Sequence, residues 1–444
     1  MGKSFVNKKT KNYEYYKNNL ITRINYAYFF EGVFDTSGKS RNLLLCFLSF
    51  FKLCISYLFK RFNVKSPKVN NIIFFSTTQN NNKALESVWC KIDKKDYILW
   101  LDDDVIPQTI ICLLSGLYIL SFLKMYFHLD KHDRNMVRFM FNEFVRTKST
   151  YLYLNRFLKK NKNLIKVVVM ANDHSMPNRC LIETCRNNGI KTVYVQHASV
   201  SPFFPPLNFD YSFLDGFNSY NIYNTIQSIT NNCIISGNPR YDGIKKICKS
   251  KTNALIGIAT NTLDKDDKIM KLCLFLKKNV KSNIILRPHP AADYSDEFKK
   301  VVIENGFLLS DSKKESSLDF LSRIDFLISN ESSIHLDSVL VDTPSCMFNF
   351  SDKEILDIYD FIKTGFVKKC DSEFDVLESI KKINQIEVAK VRYFVADFKT
   401  KYSGNVASII SGFIKKLAKN EDFESYLSTI FIKKNNLYTY RYEN

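Results

Sequence analysis

From about residue 70 onward, short unbroken apolar runs alternate with longer amphipathic stretches. This is the pattern of parallel strands buried on both faces and joined by helices. The spacing predicts strands over Asn71–Ser76 (NIIFFS), Tyr97–Leu101 (YILWL), Leu164–Ala171 (LIKVVVMA) and Lys191–Gln196 (KTVYVQ), with a helix over Pro177–Asn188. Ile234–Asp242 (IISGNPRYD) reads as a strand end running into a Gly, Asn and Pro breaker, the best internal place for a domain boundary. A second series follows, with strands over Ala254–Ala259, Asn283–Leu286, Phe307–Leu309, Phe326–Ser329 and Ser345–Phe348. Helices over Asp264–Asn279, Ser295–Asn305, Ser317–Ser322 and Ser333–Val341 separate them, and a lysine-rich helical tail closes the chain. Strand–helix–strand spacing of this kind implies right-handed crossovers. The fold class expected is therefore α/β, with two Rossmann-like parallel-sheet domains facing a cleft. The expected divisions are a basic, aromatic segment over 1–70, domains over 71–236 and 253–380 joined by a linker over 237–252, and a tail over 381–444.

Two apolar stretches require a membrane decision. Asn42–Phe59 is short, broken by Lys52 and followed by Lys60, Arg61 and Lys65, while Ile106–Leu123 sits between the acidic run Asp102–Asp104 and the charged stretch Lys131–Arg146. Both are at or below the lower edge of a spanning helix, and leucines beside lysines suit attachment to an anionic membrane surface better than a span.

The 444 residues suit two or three domains, and 45% apolar with 25% charged residues is a globular composition. Lys and Arg number 64 against 45 Asp and Glu, a formal net charge of +19, which favours phospholipid, nucleic acid or a phosphate-bearing substrate. No Arg-rich run and no nucleic-acid module is present, so nucleic acid is not an expected partner. Eleven cysteines without CxxC spacing, behind a polar Met1–Asn18, point to reduced thiols and a cytoplasmic setting.

In open parallel sheets, ligands bind beyond the carboxyl ends of the strands, so the polar residues that follow strands are the candidates. Arg287-Pro288-His289-Pro290 follows one strand, with a guanidinium and an imidazole suited to phosphate oxygens. Asn330-Glu331-Ser332-Ser333 follows another and opens a helix, where free N–H groups favour an anion. Glu331 suits either a ribose diol or electrostatic support of the first turn. Thr260, after the strand ending at Ala259, joins this donor-binding set. In the first series, Asn172-Asp173-His174 and Gln196-His197 follow strands, and His197, Asp215 and Asp173 are candidate catalytic groups. His174 and His197 lack a third ligand at useful spacing, so no metal is expected. Asp102-Asp103-Asp104 contains a D-x-D, the metal-binding pair of single-Rossmann sugar transferases.

These elements, in this order over about residues 165–350, resemble the bacterial GT-B transferases of surface polysaccharide synthesis. Teichoic-acid glycerophosphotransferases, Kdo transferases and sialyl- or polysialyltransferases are the nearest in look. Asn188-Gly189-Ile190-Lys191-Thr192 through Gln196-His197 looks like the strand leading to an acceptor-side histidine. Gly237-Asn238-Pro239-Arg240-Tyr241-Asp242 looks like the interdomain G-N-P-R-x-D element. Arg287-Pro288-His289-Pro290 resembles the R-x-H-P phosphate element, and Ser329 to Ser333 with Asp337 and Pro344 resembles the donor loop. The resemblance implies transfer of a sugar or polyol phosphate, without an essential metal or added cofactor, from a CMP- or CDP-linked or other nucleotide-activated donor. It implies an acceptor domain over 71–236 and a donor domain over 253–380, a glycan or lipid-linked acceptor, and work at the inner membrane face. Arg240, Thr260, Arg287, His289, Pro290, Asn330, Glu331, Ser332, Ser333 and Asp337 would bind the donor. Two departures stand out. Gln196-His197-Ala198-Ser199 replaces the usual Trp-His-Gly, and Leu214-Asp215-Gly216 keeps one acid where sialyltransferases have two, so His197 and Asp215 both stay open as the base. A nucleotide-sugar epimerase of the same build and a non-enzymatic polysaccharide-assembly protein are the alternatives.

Overall fold

The computed structural model describes residues 42–59, 67–101, 105–202, 204–244, 254–290, 293–382 and 387–442. The described chain divides into two compact units. One takes the residues up to Asp215, Ser219–Asp242 and those from Asn405; the other takes Gly216–Asn218 and those from Gly243 to Gly404. The N-terminal segment before residue 42, Asp102–Asp104 with its D-x-D, and 245–253 of the expected linker lie outside the described residues.

In chain order the first unit opens with α1 (Leu43–Phe59), β1 (Ile72–Ser76), α2 (Gln79–Trp89), β2 (Tyr97–Leu101), α3 (Gln108–Leu117), α4 (Ile119–His128), α5 (Lys131–Phe139) and α6 (Phe141–Asn161). It continues through β3 (Val167–Met170), α7 (Met176–Asn187), β4 (Lys191–Val195), β5 (Tyr211–Leu214), α8 (Phe217–Ile226) and β6 (Asn232–Ile235). The second unit holds β7 (Leu255–Ala259), α9 (Asp266–Asn279), β8 (Asn283–Arg287), α10 (Asp296–Glu304), β9 (Leu308–Leu309), α11 (Ser317–Arg323) and β10 (Phe326–Ser329). It ends with α12 (Ile334–Leu340), β11 (Ser345–Phe348), β12 (Lys368–Cys370), α13 (Glu373–Lys381) and α14 (Val388–Phe394). The chain then returns to the first unit with α15 (Val406–Lys419), α16 (Phe423–Ser428), β13 (Phe431–Lys434) and β14 (Leu437–Tyr440).

The first sheet has the order β2-β1-β3-β4-β5-β6-β14-β13 and is parallel apart from the β13–β14 hairpin. Its winding reverses between β1 and β3. The second sheet is parallel throughout, in the order β9-β8-β7-β10-β11-β12, the doubly wound 3-2-1-4-5-6 arrangement with its reversal between β7 and β10. Each unit is thus a Rossmann-like domain. Strands β1, β3, β5 and β10 are buried at every position. Val167, Val168, Val169 and Met170 of β3 are all 0% exposed, each stabilising the fold by about 1.5–3 kcal/mol. Gly257 in β7 lets the end of α11 close on the sheet, since a Cβ there would lie 2.5 Å from Ile324 Cδ1.

The tail expected to be helical also contributes strands. Asn435, at φ 55°, supplies the left-handed residue of a tight turn between Lys434 and Leu437, and the Tyr440 hydroxyl donates to the Ser236 carbonyl at 2.6 Å. Asp242 explains how the tail is caught: its carboxylate accepts the Val406 and Ala407 amides at 3.0 and 2.6 Å, capping α15. Among the described residues no single helix is long and apolar enough to cross a membrane; α3 and α4 together have the length but bend by 66° at their break.

Candidate active site

In the first unit, β3, β4, β5 and β6 are consecutive neighbours, and each delivers a polar residue at its carboxyl end. After β3, the Asn172 side chain accepts the His174 amide at 2.9 Å, and Asn178 donates to the Asn172 carbonyl at 2.6 Å. This tight loop turns Asp173 inward to 2% exposure. Its Oδ1 lies 3.2 Å from His174 Nδ1, while its buried Oδ2 has no hydrogen-bond partner among the described residues. After β4, Gln196 ties neighbouring strands together: Oε1 accepts the Asp215 amide at 3.0 Å, and Nε2 donates to the Ala198 carbonyl and to Ser219 Oγ. After β5, Asp215 accepts from Asn238 Nδ2 at 3.2 Å. Asn238 itself follows β6 and Gly237, whose φ of 82° admits the turn.

His197 stands in the middle of this row. Burial pushes its pKa down to about 4, the nearby His174 and Arg240 act in the same sense, and the Ala171 carbonyl and Asp173 oppose them. Its Nδ1 has no hydrogen-bond partner among the described residues, so the bond to the Ala171 carbonyl falls to Nε2. That assignment leaves a neutral imidazole with Nδ1 as proton acceptor. His174 is the member of the row that sequence reading weighed only as a metal ligand; its place next to a buried aspartate and its ring 5.1 Å from Phe204 emerge with the fold. Among the described residues no group of three His, Cys, Asp or Glu side chains is placed to hold a metal ion.

Arg240, which the sequence placed in the donor set, lies in this first unit. The division between units falls after Asp242, and the Arg240 guanidinium lies over the Tyr241 ring at 4.9 Å, exposed.

The carboxyl edge of the second unit is built differently. Arg287 was expected to present itself at this edge, and it does not. Strand β8 runs one residue further than the sequence suggested, pairing Arg287 with Ala259, so the side chain falls on a face of the sheet. There it is 4% exposed and donates to Ser310 Oγ at 2.9 Å and the Glu315 carbonyl at 2.8 Å. Glu315 Oε2 lies 3.6 Å away and the Phe320 ring 5.2 Å. The guanidinium braces the segment that follows β9. Pro288 is buried, His289 and Pro290 are exposed, and His289 lines a cavity of about 280 Å³ with Tyr294, Lys299, Ser310 and Lys313. Thr260 is buried, with Oγ1 2.7 Å from the Tyr294 hydroxyl.

After β10, Asn330 donates to Asp264 at 2.7 Å and accepts the Glu331 amide at 2.8 Å. Glu331 accepts the Leu356 amide at 3.2 Å and also that of Ile358; burial raises its pKa. Its carboxylate holds the 356–358 segment, a task that neither role considered from sequence describes. Asp337 is likewise buried and accepts from Ser317 at 3.1 Å. Ser332 accepts the Ile334 amide at 3.3 Å, and Ser333, at the N-cap of the seven-residue α12, is exposed and makes no side-chain cap bond. His335, which the sequence gave no reason to single out, pins this turn from below: its ring nitrogens lie 3.0 Å from Ser345 Oγ and 3.1 Å from the Asn330 carbonyl.

No family model and no curated protein matches the chain. Solved structures do. A putative UDP-N-acetylglucosamine 2-epimerase from Listeria monocytogenes is 11% identical, with a TM-score of 0.50 over 80% of this chain and 98% of that one. A further UDP-N-acetylglucosamine 2-epimerase is 10% identical, with the same TM-score and coverage. The wall teichoic acid polymerase TagF is 12% identical, with a TM-score of 0.45 over 85% of this chain and 98% of that one. At such identities the likeness concerns architecture alone. The chain has the GT-B type of fold, two Rossmann-like parallel-sheet units in one polypeptide.

Proposed function

We propose that this protein is a glycosyltransferase that moves a sugar or polyol phosphate from a nucleotide-activated donor to a hydroxyl acceptor on a glycan or lipid-linked chain. The observation that carries this reading is the row on β3 to β6, where Asp173, His197 and Asp215 crowd one sheet edge with two proton-accepting atoms uncommitted. Buried titratable groups without partners are costly unless a ligand or a reaction uses them.

His197 Nδ1 takes the proton from the acceptor hydroxyl as its oxygen attacks the donor carbon, or the phosphorus in a polyol phosphate transfer. The bond to the nucleotide phosphate breaks, and its electron pair leaves with the nucleotide. Asp173, whose charge already acts to raise the pKa of His197, stabilises the imidazolium that forms. Asp215, fixed by Asn238 and Gln196, is the competing base. In the second unit, His289, Ser332 and Ser333 follow strands with solvent access, and donor phosphate binding is assigned to them, with Asn330 and Glu331 anchoring the turn that carries the serines.

Thermal-shift measurements against CMP, CDP, UDP and GDP test the donor class. A nucleotide at 100 times its Kd adds roughly 2.7 kcal/mol of stability. One nucleotide family should stabilise the protein, with the cytidine nucleotides first to try. Stabilisation by none of the four would overturn the reading, and conversion of a nucleotide sugar to its epimer with no acceptor present would replace it with an epimerase.

A further inference from the structure

The first unit exposes an apolar face that the proposed reaction does not use. Helix α1 has two sides. Cys46 and Phe50, 4% and 3% exposed, enter a core with Phe122, Met125 and Tyr126 of α4 and Phe141 and Phe144 of α6. The other side carries Leu44, Leu48, Phe51, Ile55 and Phe59 at helical spacing, between 52% and 87% exposed. The Thr109 hydroxyl of α3 donates to the Tyr57 carbonyl at 3.0 Å, joining α1 to α3. Around the break between α3 and α4, Leu113, Leu117 and Leu120 are 59%, 76% and 77% exposed. No Asp or Glu occurs in these three helices. Apart from His128, their charged residues are Lys52 and Lys124, both exposed.

We propose that α1 and the α3–α4 break form a docking face for the surface of an anionic phospholipid bilayer. The leucines and phenylalanines enter the boundary between headgroups and acyl chains, and Lys52 and Lys124 meet lipid phosphates. Length decides between lying on the bilayer and crossing it. Among the described residues no single helix is long and apolar enough for the roughly 30 Å of hydrocarbon, and α3 and α4 bend by 66° at their break. Charge decides against a second copy of the chain. Two such faces would bring lysines together with no carboxylate on these helices to neutralise them. This inference stands independently of the reaction proposed above.

Flotation of the full chain with phosphatidylcholine–phosphatidylglycerol vesicles tests it, with pure phosphatidylcholine as the comparison. The wild type should float with the anionic vesicles. Leu48→Gln/Phe51→Gln/Ile55→Gln, at exposed positions, should lower the partition coefficient by at least about tenfold with an unchanged melting curve. Lys52→Gln/Lys124→Gln should lower it about fivefold per lysine, equal to about 1 kcal/mol per cation, and on the anionic vesicles alone. A wild type that ignores anionic vesicles, or a triple variant that binds them as the wild type does, overturns the proposal. So does a wild-type dimer that the triple variant abolishes while vesicle binding is absent.

Discussion

The carboxyl edges of the two sheets use polar residues in opposite ways. In the second unit they are spent on one another and on the backbone. Arg287 braces Ser310 and Glu315, Glu331 holds the amides of Leu356 and Ile358, Asn330 holds Asp264, and Thr260 meets Tyr294. In the first unit, Asp173 Oδ2 and His197 Nδ1 are buried among the described residues with nothing to bond to. A satisfied network is stiff and suits presenting loops to a ligand; uncommitted acceptors are high in energy and suit proton transfer. On the function proposed above, the same kind of sheet edge would serve binding in one unit and chemistry in the other.

Four measurements press on that contrast. The largest effect is expected at the first edge: Asp173→Asn and His197→Gln should each reduce kcat by about 10²–10⁴ while the nucleotide-induced shift in melting temperature stays as in the wild type. Asp215→Asn retains an oxygen for Asn238 and should cost less; an equal loss there would move the base to Asp215. Next comes Arg287→Met, which removes a buried cation from Glu315 and Ser310 and should lower stability by about 3 kcal/mol, read from urea midpoints. Were that variant fully stable yet blind to nucleotide, the guanidinium would belong to the phosphate site after all.

His335 gives a pH test of intermediate size. It is 0% exposed, and burial lowers its pKa to about 4. As pH falls, the unfolded chain therefore binds the proton first. The contribution is complete above about pH 6.5, the ordinary histidine value, and is lost as pH drops toward 4. Between pH 7 and 5 the wild type should lose about 2 kcal/mol through this residue, and His335→Gln should flatten that part of the profile. The smallest effect is expected for His289→Ala, whose ring is exposed. Nucleotide Kd should rise about tenfold at an unchanged melting temperature, by titration calorimetry. No change in Kd would remove His289 from the binding edge.

Much of the fold was legible along the chain because buried parallel strands leave unmistakable apolar runs. Tyr97–Leu101, Phe326–Ser329 and Ser345–Phe348 occupy the residues expected of them. The strands that escaped notice are short or masked by lysine, as in YSFL at Tyr211–Leu214, KKC at Lys368–Cys370 and FIKK at Phe431–Lys434. The first two are held by strands outside their own segments, and the third pairs with the next strand across a tight turn, so contacts and not local preference set them.

For the candidate site, the sequence determined which polar residues follow which strands, since that order is carried by local pattern. Asp173 and His197 are legible in this way, whereas Asp215 follows Tyr211–Leu214, a strand that the apolar pattern does not reveal, and stands out only through the resemblance. Only the tertiary structure decided which way each side chain turns and what it meets. One further residue in β8 sends Arg287 onto the face of its sheet, and the capping of α15 by Asp242 leaves Arg240 in the first unit beside His197. The physical reason is range: a strand's apolar run is set by adjacent residues, whereas a side chain's hydrogen-bond partner is set by whatever the sheet order brings alongside it.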